Sequence, residues 1–337
     1  MISEIQAASA RANFARYRPG QHGGHYESFF VRANHPSRPL AFWIRYTIFS
    51  PDRRPELAIG ELWAVAFDGE SSEHVAVKSE VPLSHCLFDR DKFAVRIAGA
   101  LLEPGRLSGG AASGGHTLSW DLDFGGATEP LFLFPLKLYD TRLPKAKTLV
   151  PAPLAVFSGT LTVDGRTLAV DDWIGSQNHN WGSQHTDHYA WGQVAGFDDA
   201  PGDFLELGTA RLKFGPFWTP FMTTLVLRHR GQEIALNSLR QTLRARASFG
   251  YFSWQFHSAT AAVEVEGSIH APRESFVGLR YLNPPGGSKH CLNSKLAACE
   301  LRLTDKLAGA TEVLHCRQRA AFEILTGDSD HGVAISA

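Results

Sequence analysis

The chain has 337 residues, 44 % of them hydrophobic and 20 % charged, with a net charge of −1. This length is typical of two domains or of one large domain, and the apolar content is enough for an ordinary globular core. The near-neutral charge gives no electrostatic case for binding nucleic acid, which needs a basic stripe.

The sequence carries no sign of secretion or of a membrane span. Residues 1–19 are polar and lack the apolar core of a signal peptide. No apolar run reaches the roughly 18 residues of a membrane-spanning helix. The four cysteines form no C-x-x-C pair, and scattered cysteines without a secretory signal favour reduced thiols. We therefore predict a cytoplasmic protein.

The first half of the chain predicts a succession of short strands. Residues 1–24 are expected to form an irregular leader that ends in two glycines. Aromatic and β-branched residues predict strands at 25–34, 40–49 and 57–67, and the last of these is closed by the hairpin dipeptide Asp68-Gly69.

The second half continues in the same way, with Gly, Pro and Asp turns between apolar stretches. Further strands are predicted at 157–163, 191–197, 204–214, 222–229, 233–243, 252–257, 261–269 and 276–282. Only the segments 294–304 and 320–325 could form either helices or strands. The residues after Gly327 are expected to fray. The pattern predicts an all-β barrel or sandwich.

One internal echo suggests two domains of similar plan. His25-Tyr26 and His188-Tyr189, about half the chain apart, each open an aromatic strand, a turn and a returning strand. Chance recurrence of a dipeptide is the alternative. Duplication is the favoured interpretation, and it predicts an N-terminal domain at 25–183 and a C-terminal domain at 184–337.

The stretch 171–193 is the densest mixture of titratable and aromatic residues in the chain. It holds three tryptophans, three histidines and three aspartates, and acid/base chemistry needs titratable groups held by rigid neighbours. The alternative is a polar crossover between two domains with no catalytic role.

Several motifs for cofactors and metals are missing. There is no G-x-G-x-x-G, P-loop, G-x-S-x-G or H-E-x-x-H. The spacing of His179, His185 and His188 matches no strong zinc signature, and an odd spacing turns strand side chains to opposite faces. We therefore predict no metal and no cofactor.

The central stretch resembles a known superfamily. An Asn-His-Asn-Trp-Gly run at 178–182, followed by Trp-Gly-Gln-Val-x-Gly-Phe-Asp-Asp at 191–199, resembles the two-domain lipocalin-like proteins. These include carotenoid 1,2-hydratases, AttH-like proteins, tocopherol cyclases and fungal decalin-forming Diels–Alderases. The resemblance implies two lipocalin-like β-barrels or half-barrels packed against each other, with a hydrophobic tunnel or cleft where they meet.

The resemblance also places individual residues. His179 and Trp181 match a His-x-Trp pair of the hydratases, and Phe204 and Glu206 occupy, by placement, an aromatic-x-acidic pair in the next strand. The hydratases typically have Tyr and Asp there, so this chain departs from their pattern, which puts carotenoid hydration in doubt while a carboxylate survives.

Protonation of an unactivated alkene requires a strong acid shielded from water and aromatic faces for the cation. A pericyclic reaction requires only a shaped cavity and hydrogen-bond donors. The predicted catalytic residues are His179, Glu206 and Asp187, and the predicted substrate-binding residues are Trp173, Gln177, Trp181, Tyr189, Trp191, Gln193, Phe204, Tyr26 and Glu27. The alternatives are that His179 bonds backbone groups at the domain junction, Glu206 faces solvent and Asp187 belongs to a turn.

The sequence therefore predicts a cofactor-independent enzyme that hydrates, isomerises or cyclises a hydrophobic isoprenoid- or polyketide-like molecule in an interdomain cavity. The alternative is a lipid or pigment carrier, which would keep its carboxylates outside the cavity. The expected partner is the small-molecule substrate, with peripheral membrane contact as a way to collect it and no nucleic acid.

Overall fold

The computed structural model describes residues 3–337, which contain two short α-helices and 24 β-strands. The helices are α1 (Glu4–Ala10) and α2 (Leu239–Arg244). Single 3-10 turns lie at Pro55–Leu57, Leu83–His85, Leu136–Leu138 and Arg273–Ser275. The all-β prediction is confirmed.

The first twelve strands form one antiparallel sheet, called sheet A. They are β1 (His25–Asn34), β2 (Leu40–Ser50), β3 (Ile59–Asp68), β4 (Val75–Pro82), β5 (Cys86–Phe88), β6 (Val95–Ile97), β7 (Ala100–Glu103), β8 (Arg106–Ser113), β9 (His116–Gly125), β10 (Leu131–Phe132), β11 (Ala146–Val163) and β12 (Arg166–Gly182). Their order is β4-β3-β2-β1-β12-β11-β9-β8-β7-β6-β5, with β10 beside β11. Bonds from the Lys78 and Ala112 amides to the Ser113 and Ser79 hydroxyls join β4 to β8, so the sheet nearly closes into a barrel.

Beyond sheet A, residues 3–337 contain twelve further strands, of which ten form sheet B. They are β13 (His188–Ala195), β14 (Phe204–Arg211), β15 (Lys213–Phe214), β16 (Phe217–Trp218), β17 (Met222–His229), β18 (Gln232–Leu236), β19 (Arg246–Phe249), β20 (Ser253–Ala259), β21 (Val263–His270), β22 (Val277–Leu282), β23 (Ser288–Asp305) and β24 (Ala310–Thr326). Sheet B has the order β18-β17-β14-β13-β24-β23-β21-β20-β19, with β22 beside β23, whereas β15 and β16 form a separate hairpin.

The two sheets follow the same plan. In each, the first strand pairs with the last, and the last two strands form a long hairpin, β11–β12 in sheet A and β23–β24 in sheet B. The two His-Tyr dipeptides of the sequence begin β1 and β13. The domain boundary at 183/184 stays a prediction; it falls in the connection between the sheets.

Strands β1 and β2 are buried along their whole length because each faces a core on both sides. Alternate residues such as Phe29 and Phe42 point into the sheet A barrel, whereas Phe30 and Trp43 point toward sheet B. Two-sided burial explains why β2 reads as a continuous apolar run rather than an alternation.

The faces where the sheets meet are packed with aromatic and aliphatic side chains. Trp63 of sheet A meets Tyr281 of sheet B edge to face at 5.8 Å, and Phe30 meets Trp191 at 6.1 Å. Leu279 and Leu325 complete this interface core. These buried side chains lie where the resemblance implied a tunnel or cleft.

Both chain ends are more ordered than expected from the sequence. The expectation of an irregular leader is wrong for α1, which begins with a capping box between Ser3 and Gln6. The segment after Gly327 does not fray, because Ile335 bridges to Gly278 and Val333 is buried. The segments 294–304 and 320–325 lie within β23 and β24 and are strands. Within residues 3–337, no helix has the length and apolar character needed to cross a membrane.

At Gly175, β12 packs closely against its two neighbouring strands, β1 and β11. It pairs with Ala33 and Ala155 on its two sides, and a Cβ there would overlap the backbone carbonyl of Arg32. Gly175→Ala is expected to destabilise the fold by at least about 1–3 kcal/mol, the usual cost of overpacking, as measured by denaturant unfolding. Gly99→Ala, at an open position, is the matched control, and equal stability of the two variants would contradict this packing.

Candidate active site

Strand β12 separates the predicted site residues into two groups, because successive side chains of a strand point to opposite faces. Gln177, His179 and Trp181 point to the end of the sheet A barrel, which we call the inner face. Ser176 and Asn178 point toward sheet B, which we call the outer face. This division follows from the hydrogen-bond partners on each side.

On the inner face, Glu27 and His179 form a fully buried pair. His179 Nε2 lies 2.8 Å from Glu27 Oε1, and His25 Nε2 lies 3.1 Å from Glu27 Oε2. Burial alone would raise the pKa of Glu27, but the hydrogen bonds and charge of His179 and His25 outweigh it and lower the pKa to about 2. Glu27 is therefore a carboxylate.

Both ring nitrogens of His179 face hydrogen-bond acceptors. Nε2 faces the Glu27 carboxylate, and Nδ1 lies 2.6 Å from the Ala12 carbonyl oxygen. A carbonyl oxygen can only accept, so Nδ1 is the donor to Ala12. The His179 ring stacks on Phe29 at 4.1 Å and is tilted against Trp181 at 4.7 Å.

The segment 12–17 covers the inner face and forms hydrogen bonds with the polar groups there. Asn13 and Gln177 exchange two amide hydrogen bonds of 2.9 Å. The backbone amides of Arg16 and Tyr17 donate to Glu27 at 2.7 and 2.8 Å. Together with the Ala12 contact, these bonds fasten the N-terminal segment over the barrel end, an arrangement that fits the backbone-bonding alternative for His179.

On the outer face, Glu206 is fully buried and bonded by two neutral donors. Trp191 Nε1 donates to Oε1 at 2.7 Å, and Gln193 Nε2 donates to Oε2 at 2.8 Å. Burial raises the pKa of Glu206 to about 7, against the opposing effect of the two hydrogen bonds and of the charge on Arg32.

Gln193 links Glu206 to sheet A. Its amide nitrogen also donates to Asn178 at 2.8 Å, and its oxygen accepts from Arg32 Nε and Ser176 Oγ at 2.7 Å each. The network therefore joins strands of both sheets in a region closed to water, where satisfied polar groups fix one arrangement.

Phe204 lies two residues before Glu206 on the same face of β14. It packs in an apolar cluster that sheet A supplies in part through the segment around β10. The other fully buried members of this cluster are Leu131, Leu133, Val150, Ala195 and Val226. Glu206 thus lies between a polar network and an apolar wall.

Sequence reasoning missed three buried charges beside this network. They are Arg32, Lys295 and Glu323. Lys295 Nζ donates to Glu323 at 2.8 Å and lies 5.4 Å from the ring centre of Trp191. Burial lowers the pKa of Lys295. Arg32 follows the apolar run Phe29–Val31, and Glu323 lies between Phe322 and Ile324; a single charge in such a run argues for a buried partner rather than a solvated face. Lys295 follows Asn293 and Ser294 and gave no such signal.

The remaining predicted residues lie apart from both groups. Asp187 is part-exposed in the connection before β13, where it accepts from the Lys213 amide at 2.9 Å. Trp173 belongs to the sheet A core, stacked on Phe42. Tyr26 stacks on His185 at 3.9 Å, and Tyr189 borders the interface core.

The three predicted catalytic residues are therefore not brought together. His179 lies on the inner face, Glu206 on the outer face and Asp187 outside both. Among residues 3–337, no three His, Cys, Asp or Glu side chains form a group that could hold a metal.

Two cavities lie outside these groups. One of about 70 Å³ runs between α1 and the segment around Tyr139. The other, an open groove of about 680 Å³, lies along β19, β20, β21 and β23 and is lined by residues such as Arg246 and Arg302. Neither is lined by His179 or Glu206, and both of these side chains are fully buried.

Comparisons with known proteins place this geometry in context. No protein-family model matches the chain. Two uncharacterised proteins from two strains of Mycobacterium tuberculosis are 31 % identical to it over 209 residues, which is 61 % of this chain and 61 % of each of theirs. The match thus spans less than two thirds of those relatives.

Three solved structures share the architecture over most of their length. A candidate AttH protein from Nitrosomonas europaea has a TM-score of 0.58 and 12 % identity, covering 93 % of this chain and 99 % of that one. Kievitone hydratase from Nectria haematococca has 0.53 and 12 %, covering 92 % and 91 %. CghA with Sch210972 has 0.51 and 10 %, covering 94 % and 97 %. The chain therefore shares the overall fold of these three proteins.

Proposed function

We propose that the chain is an enzyme that performs acid/base chemistry on a hydrophobic small molecule, with Glu206 as the proton-transfer group. The observation that carries the proposal is a fully buried carboxyl group bonded by two neutral donors. With a pKa of about 7, it populates both protonation states near neutral pH, as a general acid or base must.

The surroundings of Glu206 suit a substrate that develops positive charge. The ring of Trp191 offers a π face for a cation. An isoprenoid- or polyketide-like substrate fits the apolar wall around Phe204. Hydration, isomerisation and cyclisation all use this set without a cofactor.

Substrate entry requires the apolar wall to move, because Glu206 is enclosed. The segment around β10 is the candidate, since Leu131 and Leu133 cover Phe204. It is tied to sheet B through hydrogen bonds to the Leu133 carbonyl from Thr224 at 3.1 Å and from Asn237 at 3.1 Å. Arg228 of β17 adds bonds to the Glu129 and Pro130 carbonyls just before β10, so moving this segment would have to break both sets of bonds.

The carrier alternative is less well supported. A carrier was expected to keep its carboxylates outside the binding region, whereas Glu27, Glu206 and Glu323 are all buried. A fold neighbour named as a hydratase also supports an enzyme. His179 and Asp187 stay predicted site residues, with no contact to Glu206.

A solvent-label experiment tests the proposal. The purified protein is incubated in D₂O with apolar isoprenoid and polyketide extracts, and products are analysed by mass spectrometry. Deuterium at carbon, with or without added water, is the expected result, and it must disappear with Glu206→Gln. A compound that binds and is recovered unlabelled and unchanged would instead identify a carrier.

A further inference from the structure

One end of sheet B exposes apolar side chains that a folded chain normally covers. The β15–β16 hairpin presents Phe217 and Trp218, which are 75 % and 41 % exposed. Helix α2 presents Leu239 and Leu243, which are 73 % and 51 % exposed. Leu239 and Leu243 are four residues apart and therefore share one helix face.

The hairpin and α2 lie at the same end of the sheet. Helix α2 packs on β17, the strand that follows the hairpin. Phe221, between the hairpin and β17, lies 5.1 Å from Phe249, in the strand that follows α2. The guanidinium of Arg211 lies over both Trp218, at 4.3 Å, and Phe221, at 5.2 Å. The exposed apolar residues therefore form one surface.

Basic residues surround this surface. Exposed positions in the hairpin and in and after α2 carry positive charge: Lys213, Arg240, Arg244 and Arg246. The sequence from 207 to 263 holds seven Lys or Arg and a single acidic residue, Glu233, which pairs with Arg228. Asp187 touches the hairpin but is paired with Lys289. Glu266 and Glu300 line the same groove as Arg246, so the excess positive charge lies on Lys213, Arg240 and Arg244.

The fold holds these side chains outward. Gly215 turns the hairpin with a φ of 59°, a conformation that glycine adopts without strain. Cations of Arg211 and Lys213 lie over the Trp218 ring. Ser238 and Gln241 form a capping box that starts α2. The surface is therefore built into the structure rather than left by an open loop.

We propose that this surface, formed by 213–218 and 239–246, docks on an anionic membrane. Phe, Trp and Leu side chains insert at the boundary between headgroups and acyl chains, while Lys and Arg bind anionic headgroups. The exposed aromatic residues match the acyl-chain boundary, and the basic residues around them match the anionic headgroups. Nucleic acid would leave the exposed leucines without an apolar partner. The proposal is independent of the chemistry at Glu206.

Vesicle sedimentation tests the docking. The full chain is expected to sediment with vesicles of phosphatidylcholine and phosphatidylglycerol, less with phosphatidylcholine alone, and less again as salt is raised. Phe217→Ser and Leu239→Ser should each weaken binding about tenfold, the factor expected for losing one large apolar side chain. The double variant Arg240→Gln/Arg244→Gln should remove the preference for anionic vesicles.

Leu307→Ser is the matched control, since Leu307 is 82 % exposed but lies in the β23–β24 turn. Unchanged thermal melting of each variant shows that it folds. Failure of the wild type to bind anionic vesicles overturns the proposal, as does an equal loss with Leu307→Ser. If Phe217→Ser abolishes self-association in ultracentrifugation but leaves vesicle binding intact, the surface joins copies of the chain and the proposal is wrong.

Discussion

Replacing Glu206 by glutamine is expected to lower turnover by roughly 10²–10⁴-fold, the usual contribution of a general acid or base. The change keeps the size of the side chain and removes its titrating proton. Trp191→Phe should lower turnover less, because a weaker π face remains, although the Nε1 donor to Glu206 is lost. The measurement is the initial rate with any substrate that the solvent-label experiment identifies.

The raised pKa of Glu206 predicts the direction in which the reaction rate changes with pH. Its pKa in the folded protein is about 7, above the ordinary 4.5, so the protonated form predominates below neutral pH. A reaction started by protonation should therefore slow as pH rises through about 7. The raised pKa of Glu206 also affects the free energy of unfolding. Its stabilising contribution is fully present below pH 4.5 and is lost as pH rises through 7.

Glu56→Gln, at an exposed carboxyl, is the control for both measurements. A wild-type rate that is constant between pH 6 and 8 would argue against Glu206 as the titrating group. So would a Glu206→Gln variant that keeps the full rate with the same substrate.

Replacing Glu27 by alanine is expected to destabilise the protein by about 3–5 kcal/mol, the scale of breaking a buried hydrogen-bond or salt-bridge network. The variant leaves the His179 and His25 rings and the amides of Arg16 and Tyr17 without their acceptor. The measurement is the free energy of unfolding in denaturant at pH 7.

Acid unfolding gives a second measure of Glu27. Because its pKa falls from 4.5 to about 2 on folding, its stabilisation is present above pH 4.5 and lost as pH falls toward 2. The shift corresponds to about 3 kcal/mol. The Glu27→Ala variant should lose less stability than the wild type over this interval.

Asn13→Ala distinguishes the contribution of the Glu27–His179 pair from that of the segment 12–17, which covers it. It removes only the two amide bonds to Gln177, so a loss of about 1–3 kcal/mol is expected for the polar group left unsatisfied. If Glu27→Ala costs no more than Asn13→Ala, the carboxylate does not hold the buried histidines as described.

The sequence by itself determined the class of fold and the position of the first strand of each sheet. Short apolar stretches between Gly, Pro and Asp turns indicated an all-β chain, since such turns stop strands through local backbone geometry. The motif around His179 and Trp191 indicated the superfamily architecture. The two His-Tyr dipeptides marked the first strands of both sheets.

Only the tertiary structure decided which residues meet. His179 and Glu206 are both buried, yet β12 stands between them, because strand register and the closing of sheet A set which face of each strand meets which neighbour. Periodicity is uninformative for strands covered on both sides, so the partners of Arg32, Lys295 and Glu323 were hidden among apolar neighbours. The cover over His179 came from residues 12–17, which the sequence presented as an irregular leader; long-range hydrogen bonds, which local patterns do not encode, ordered it.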